Sequence, residues 1–312
     1  MGAVLLAVAT LTACGSQKAD VLHVANQKGS TRAMMLAAGV LDGAPYTVEW
    51  SEFPAAQTLL EAVSSGSADL GLAGDAPFIF AYQSGSPIKA VGALATAGRP
   101  ADALAVVVRE GSPLRSVADL AGKTVATTRG SIGHHLLLQA LERAHIPASR
   151  VKVSLLAPSD AKAAFDSGAV DAWASWTPYT NIAIKEGARV IVDAKDYDLP
   201  VAFDVANAAA ITPKRALIRD FLAREAKALD WARAHPEAYA QVLSRETGLP
   251  IDIARASFDR NNRTAVAIAP AVLAHEQAIA DRFGRAGLIA PTRPIAEAFD
   301  ASVGSGLFKT QE

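Results

Sequence analysis

Arg129-Gly130-Ser131-Ile132-Gly133-His134-His135 is the stretch whose residue types and spacing come nearest to a chemical device. It follows a short β-rich run and opens an apolar helical pattern. The backbone N–H groups of Ser131, Ile132 and Gly133 therefore fall at a helix start, where amides lack intrahelical acceptors and the macrodipole places roughly half a positive charge. Glycines let an oxyanion approach the backbone, and the Ser131 hydroxyl adds one donor. The chemistry on offer is anion binding, with His134 as a candidate further donor. A tight, capped turn that holds no ligand satisfies the same residues equally well.

Two further turns belong with the first. Gln27-Lys28-Gly29-Ser30 lies between the first strand and its helix, and Gly74-Asp75 ends the third strand. In open α/β sheets ligands gather outside the carboxyl ends of the strands, so all three turns fall where a pocket forms. Lys28 either neutralises an anion or faces solvent. Asp75 reads as a helix cap or an orienting partner rather than a direct contact with an anion. Trp173 and Trp176, three apart in a strand, face opposite sides. Trp176, beside the Pro178 turn, is the candidate wall for a ligand's carbon chain and Trp173 the core residue, although ordinary core packing explains either ring.

Catalytic chemistry finds little support: the chain has no P-loop, no G-x-G-x-x-G, no G-x-S-x-G and no H-E-x-x-H. His134 and His135 diverge by about 100° on a helix and do not readily share a metal. His23, His145, His235 and His275 are scattered and read as structural or surface residues. Neither a metal nor a cofactor is expected.

The elements that must position these residues form an α/β pattern. Strands are expected over 21–25, 46–53, 68–73 and 88–95, with helices over 31–41 and 56–64 and a new one opening at Gly74-Asp75-Ala76-Pro77. A second unit repeats the plan, with a helix capped by Ser116, strands over 124–127, 151–155 and 170–176, and helices ending at 144 and 167. Residues 203–211 return as an extended segment, and the chain to about 285 reads as almost wholly helical. Two such units imply two lobes, 20–104 with 205–312 and 105–204, hinged by extended crossovers near 104–108 and 203–209. At 312 residues and 51% hydrophobic content the chain is long enough for two cores. Thirty basic residues against thirty-one acidic ones, without a run of like charge, argue against nucleic acid.

Residues 1–19 read differently. Residues 2–11 are apolar but too short to span a bilayer, which takes about 20 residues, and they end in Leu11-Thr12-Ala13-Cys14. This resembles a bacterial lipobox, with Cys14 acylated and the mature chain tethered outside the cytoplasmic membrane; no basic residue precedes Cys14, which an upstream start accounts for. A buried first strand with an incidental cysteine is the alternative. Cys14 is the only cysteine, so an internal disulfide is excluded.

The chain resembles the periplasmic aliphatic-sulfonate-binding proteins, within the wider group that binds nitrate, taurine and thiamine-precursor pyrimidines. The matching stretches are Gln27-Lys28, Trp50-Ser51-Glu52-Phe53-Pro54-Ala55, Ala68-Asp69-Leu70-Gly71 with Gly74-Asp75, Asp119-Leu120-Ala121-Gly122-Lys123, Gly130-Ser131 with His134, Val170-Asp171-Ala172-Trp173-Ala174, and Trp176 with Pro178-Tyr179. They run in order from about 21 to 179. Thr177 departs from the sulfonate branch, which tends to carry Asp there.

What the resemblance implies is a two-lobed, type II periplasmic-binding-protein-like fold that closes on an alkanesulfonate and delivers it to an ABC permease and its ATPase for sulfur acquisition. The Gly74-Asp75 and Gly130-Ser131 turns would face each other across the cleft. The expected ligand contacts are Gln27, Lys28, Gly74, Asp75, Gly130, Ser131, Ile132, Gly133, His134 and Trp176, in a monomer anchored by lipid at the periplasmic or cell surface. Ser131→Ala with Gly133→Val is expected to abolish binding without unfolding the chain. Taurine, with Asp75 taking its ammonium, nitrate or a pyrimidine are alternative ligands. A desulfinase-like enzyme is the alternative of another class, but it needs a reactive cysteine, and Cys14 precedes the first strand.

Overall fold

The computed structural model describes residues 20–27, 31–96, 98, 101–197, 201–260 and 262–308; the expectations placed on Cys14, Lys28 and the tether over 1–19 lie outside them. In chain order the strands are β1 (Asp20–Gln27), β2 (Tyr46–Phe53), β3 (Leu70–Gly74), β4 (Ile88–Thr96), β5 (Leu104–Val108), β6 (Thr124–Thr127), β7 (Lys152–Leu155), β8 (Ala172–Trp176), β9 (Arg189–Asp193), β10 (Val201–Asn207) and β11 (Arg263–Val266). The helices are α1 (Thr31–Ala37), α2 (Ala56–Ser65), α3 (Asp75–Gln83), α4 (Ile132–Arg143), α5 (Pro158–Ser167), α6 (Tyr179–Lys185), α7 (Ala208–Ile211), α8 (Arg215–Ala234), α9 (Pro236–Thr247), α10 (Ile251–Arg260) and α11 (Pro270–Arg285).

Six strands make one sheet, in the order β11-β4-β10-β3-β1-β2, and five make the other, in the order β7-β6-β8-β5-β9. In the first, β1 runs parallel to β2 and β3, while β10 is antiparallel to both β3 and β4. In the second, β6 is parallel to β7 and β8, while β5 is antiparallel to β8 and β9. The same plan thus occurs twice, a parallel set joined by one returning strand.

Side chains alternate between the two faces of each sheet with the period of two that a strand imposes. In β10, Phe203 and Val205 join one core with Leu59, Phe78 and Phe283, while Ala202 and Ala206 join another with Leu22, Met35 and Phe221. In β8, Trp173 packs with Phe165 and Val107, whereas Ala172, Ala174 and Trp176 pack with Val106, Leu136 and Leu137. Helices form where apolar residues recur at helical spacing. Ala56, Leu59, Leu60 and Val63 make the buried stripe of α2, and Gly66 ends that helix at φ 80. No described helix is long and apolar enough to cross a membrane.

The extended segments expected at the two crossovers are present as β5 and β10, and each also pairs within a sheet: β5 lies between β8 and β9, and β10 between β4 and β3. The chain leaves the first sheet after Thr96 and enters the second at Leu104; it leaves the second after Asp193 and rejoins the first at Val201. Apolar runs buried on both faces read alike whether they cross or pair. Strands β9 and β11 were not foreseen. The extended segment through 211 ends at Asn207, whose side chain accepts the Ala209 N–H at 2.9 Å and starts α7.

Candidate ligand-binding cleft

Gln27 closes β1, Gly74 closes β3 and leads into α3, Ser131 caps α4, and Trp176 closes β8. All four line one cavity of about 160 Å³, to which both sheets contribute. At the start of α4, Ser131 Oγ accepts the His134 N–H at 3.1 Å and the Ser131 N–H donates to Thr128 O at 3.1 Å. That leaves the amides of Ile132 and Gly133, the first two of the helix, without an intrahelical acceptor.

The two units touch at this point because two residues lack a side chain. A Cβ on Gly74 would lie 2.8 Å from Ile132 Cγ2, and one on Gly130, whose φ is +64, would lie 2.5 Å from the Phe80 ring. Phe80 belongs to α3 and Gly130 to the turn before α4, so each contact joins one unit to the other. Any larger residue would hold them apart.

Deeper in the cavity stand Thr31, Gln57, Glu225, Ser257, Asn262 and Arg263. Burial, and then the charge of Glu225, pushes the Asp204 carboxyl well above the usual carboxylate range. Asp204 therefore keeps its proton and hydrogen-bonds Glu225, which also accepts the Thr31 hydroxyl at 3.2 Å. The Arg263 guanidinium acts on this pair and on Asp75. Burial draws the Arg263 pKa down and Glu225 draws it back. Gln57 Nε2, Ser257 Oγ and Arg263 Nε are buried and meet no acceptor among the described residues. A buried donor left unpaired costs about 1–3 kcal/mol, so a wall carrying three of them suits a ligand that brings oxygens. Met34, Leu229, Leu249, Phe258, Trp176 and Pro178 are among its apolar lining.

Residues 47–239 match the sequence profile of the family described as NMT1/THI5 like, more than half of the chain. The chain belongs to the NMT1/THI5-like family. A relative from Escherichia coli strain K12, named for aliphatic-sulfonate binding, is 35% identical over 284 residues, 89% of this chain and 88% of that protein. The crystal structure of the periplasmic aliphatic sulphonate binding protein of Escherichia coli matches with a TM-score of 0.79 and 32% identity, covering 89% of this chain and 91% of that one. The alkanesulfonate-binding protein of Xanthomonas axonopodis pv. citri, solved with MOPS bound, matches with a TM-score of 0.82 and 28% identity over 90% of this chain and 98% of that one. The α/β periplasmic-binding-protein fold expected from the sequence is the fold this NMT1/THI5-like chain has.

Of the residues expected at the ligand, Gln27, Gly74, Ser131, Ile132 and Trp176 line the cavity, and Gly130, Gly133, His134 and Asp75 do not. The Gly130 N–H is spent on His134 Nδ1 at 3.2 Å. His134 holds the turn through this bond, its ring buried against Phe283 and away from the cavity. A Cβ on Gly133 would lie 2.6 Å from Ala174 O, so this glycine seats α4 on β8, and Gly133→Val is a stability lesion rather than a test of binding. Asp75 accepts the amides of Ala76 at 2.6 Å and Val201 at 3.1 Å. The carboxylate that lines the cavity is Glu225, and it replaces Asp75 as the candidate partner for an ammonium. Sequence reasoning also missed Gln57, Ser257 and Arg263; the one signal was Arg263-Thr264-Ala265-Val266, a short β-prone run inside an otherwise helical stretch.

Proposed function

We propose that this NMT1/THI5-like chain is the extracytoplasmic solute-binding protein of an ABC importer, and that its ligand is an aliphatic sulfonate. The observation that carries the reading is the cleft between the sheets, where Arg263 and two further uncommitted donors, Gln57 Nε2 and Ser257 Oγ, share a wall with apolar rings. A sulfonate is a tetrahedral anion on a carbon chain. Its oxygens take the charge-assisted bonds of Arg263 and the helix-start amides, and Trp176 covers the chain. The units 20–96 with 201–308 and 104–193 then act as lobes. A ligand that touches both stabilises the closed form, which a permease recognises.

The Escherichia coli protein of known structure is named as periplasmic, which supports an extracytoplasmic site. In this reading acylated Cys14 tethers a monomeric mature chain to the membrane, and the imported sulfonate serves as a sulfur source. The chain binds without turnover. Release of sulfite from a sulfinate by the purified protein would reverse that assignment.

A thermal-shift panel of alkanesulfonates, taurine, nitrate, sulfate and pyrimidines tests the ligand class. An alkanesulfonate at about 100 times its dissociation constant adds about 2.7 kcal/mol of stability and raises the melting temperature. A shift with taurine alone moves the ligand to amino-sulfonates held by Glu225. A shift only with nitrate or a pyrimidine, or none at all, overturns the proposal.

A further inference from the structure

Asp75, His275 and Glu276 take no part in lining the cleft. Asp75 opens α3 directly after Gly74, and His275 and Glu276 are neighbours on α11. Neighbours on a helix diverge by about 100°, yet these two side chains reach back to one point. One ligand atom from each of the three residues lies within 4.8 Å of the other two, and His275 Nε2 is 3.5 Å from Asp75 Oδ2.

Glu276 is fully buried, and neither of its oxygens has a hydrogen-bond partner among the described residues. Asp75 is also buried and is held as an anion by His275 and two backbone amides. Two carboxylates in one dry pocket repel each other, and an unpartnered one is costly to bury. A dication between them would pair with both carboxylates and give the Glu276 oxygens the partner they lack. A cavity of about 10 Å³, lined by Asp75, His275, His135 and Gln139 and bounded across the seam by Leu104 and Ile132, adjoins the cluster without reaching Glu276 and has room for about one water or ion.

We propose that Asp75, His275 and Glu276 form a site for a divalent transition metal, with zinc the best fit, at the seam between the two sheets. One imidazole and two carboxylates are ligands zinc accepts, with water completing the tetrahedron. Asp75 Oδ2 also takes the Val201 N–H at 3.1 Å, where the chain rejoins the first sheet. A metal here would fix that return strand and the residue after Gly74.

The test strips the full chain with a chelator and titrates it with zinc chloride by calorimetry. One equivalent is expected to bind, and Glu276→Gln, a shape-match for the protonated acid, to lose about tenfold or more in affinity while keeping its melting temperature in chelator. His275→Ala is expected to lose at least as much. No binding by the unmodified chain, or equal binding by Glu276→Gln, overturns the site and leaves Glu276 a protonated acid. Sulfonate titrations of the same chelated samples report on the cleft separately, so failure of one proposal is not mistaken for failure of the other.

Discussion

His134 and Gly133 are adjacent on the first turn of α4 and fail for different reasons when altered. Burial first, and the charge of Arg129 second, hold the His134 imidazole down at about 4 against an ordinary 6.5. Below 6.5 the unfolded chain takes up a proton that the folded chain refuses. The stability contributed here is therefore complete above about 6.5 and is lost as pH falls toward 4, by up to about 3 kcal/mol. Urea denaturation at about pH 7 and about pH 5 checks this: His134→Gln is expected to flatten the dependence, and an unaltered slope would acquit the imidazole. Gly133→Val drives a side chain into the β8 backbone and is expected to cost about 1–3 kcal/mol in the same assay. Arg263→Gln removes the cavity's guanidinium. The expected result is about 10–100-fold weaker sulfonate binding by calorimetry, the range that one or two charge-assisted bonds supply.

At the scale of elements, the cleft depends on where strands stop and helices start. Strands β2 and β6 fall where the sequence places them, because 46–53 alternates apolar and polar and 124–127 is a short β-branched run fenced by Gly122 and the Gly130 turn. The turns at Gly74 and Ser131 were legible for the same reason, since local chemistry marks them. Arg263, Gln57 and Glu225 were not legible. They sit on a four-residue strand, on α2 and on α8, and only the packing of distant elements turns them toward one cavity. His134 reads two ways in sequence because its spacing fits a ligand donor as well as a loop staple. Gly74 has an extended φ of −68, so its backbone tolerates a side chain while the contact with Ile132 does not. Gly74→Val is accordingly expected to leave urea stability within about 0.5 kcal/mol and to weaken sulfonate binding at least about tenfold, because the wedge opposes closure. Full affinity in this variant would mean that the cleft binds without closing.

For the molecule as a whole, the proposed lobe closure assigns the contacts of Gly74 with Ile132 and of Gly130 with Phe80 to the closed form. Small-angle scattering is expected to show a smaller radius of gyration with sulfonate than without it; equal radii would place the closed form in the free protein as well. Sheet order carries a different consequence. The second sheet is one unbroken stretch from β5 to β9, whereas the first needs β10 between β3 and β4, and β10 arrives roughly a hundred residues after β4. On a translating ribosome the inserted unit can finish while its host cannot. A nascent chain whose β9 has just emerged from the ribosome therefore carries a finished second sheet and, ahead of it, strands with a vacant central lane, whose bare edges are templates for misassembly until β10 follows.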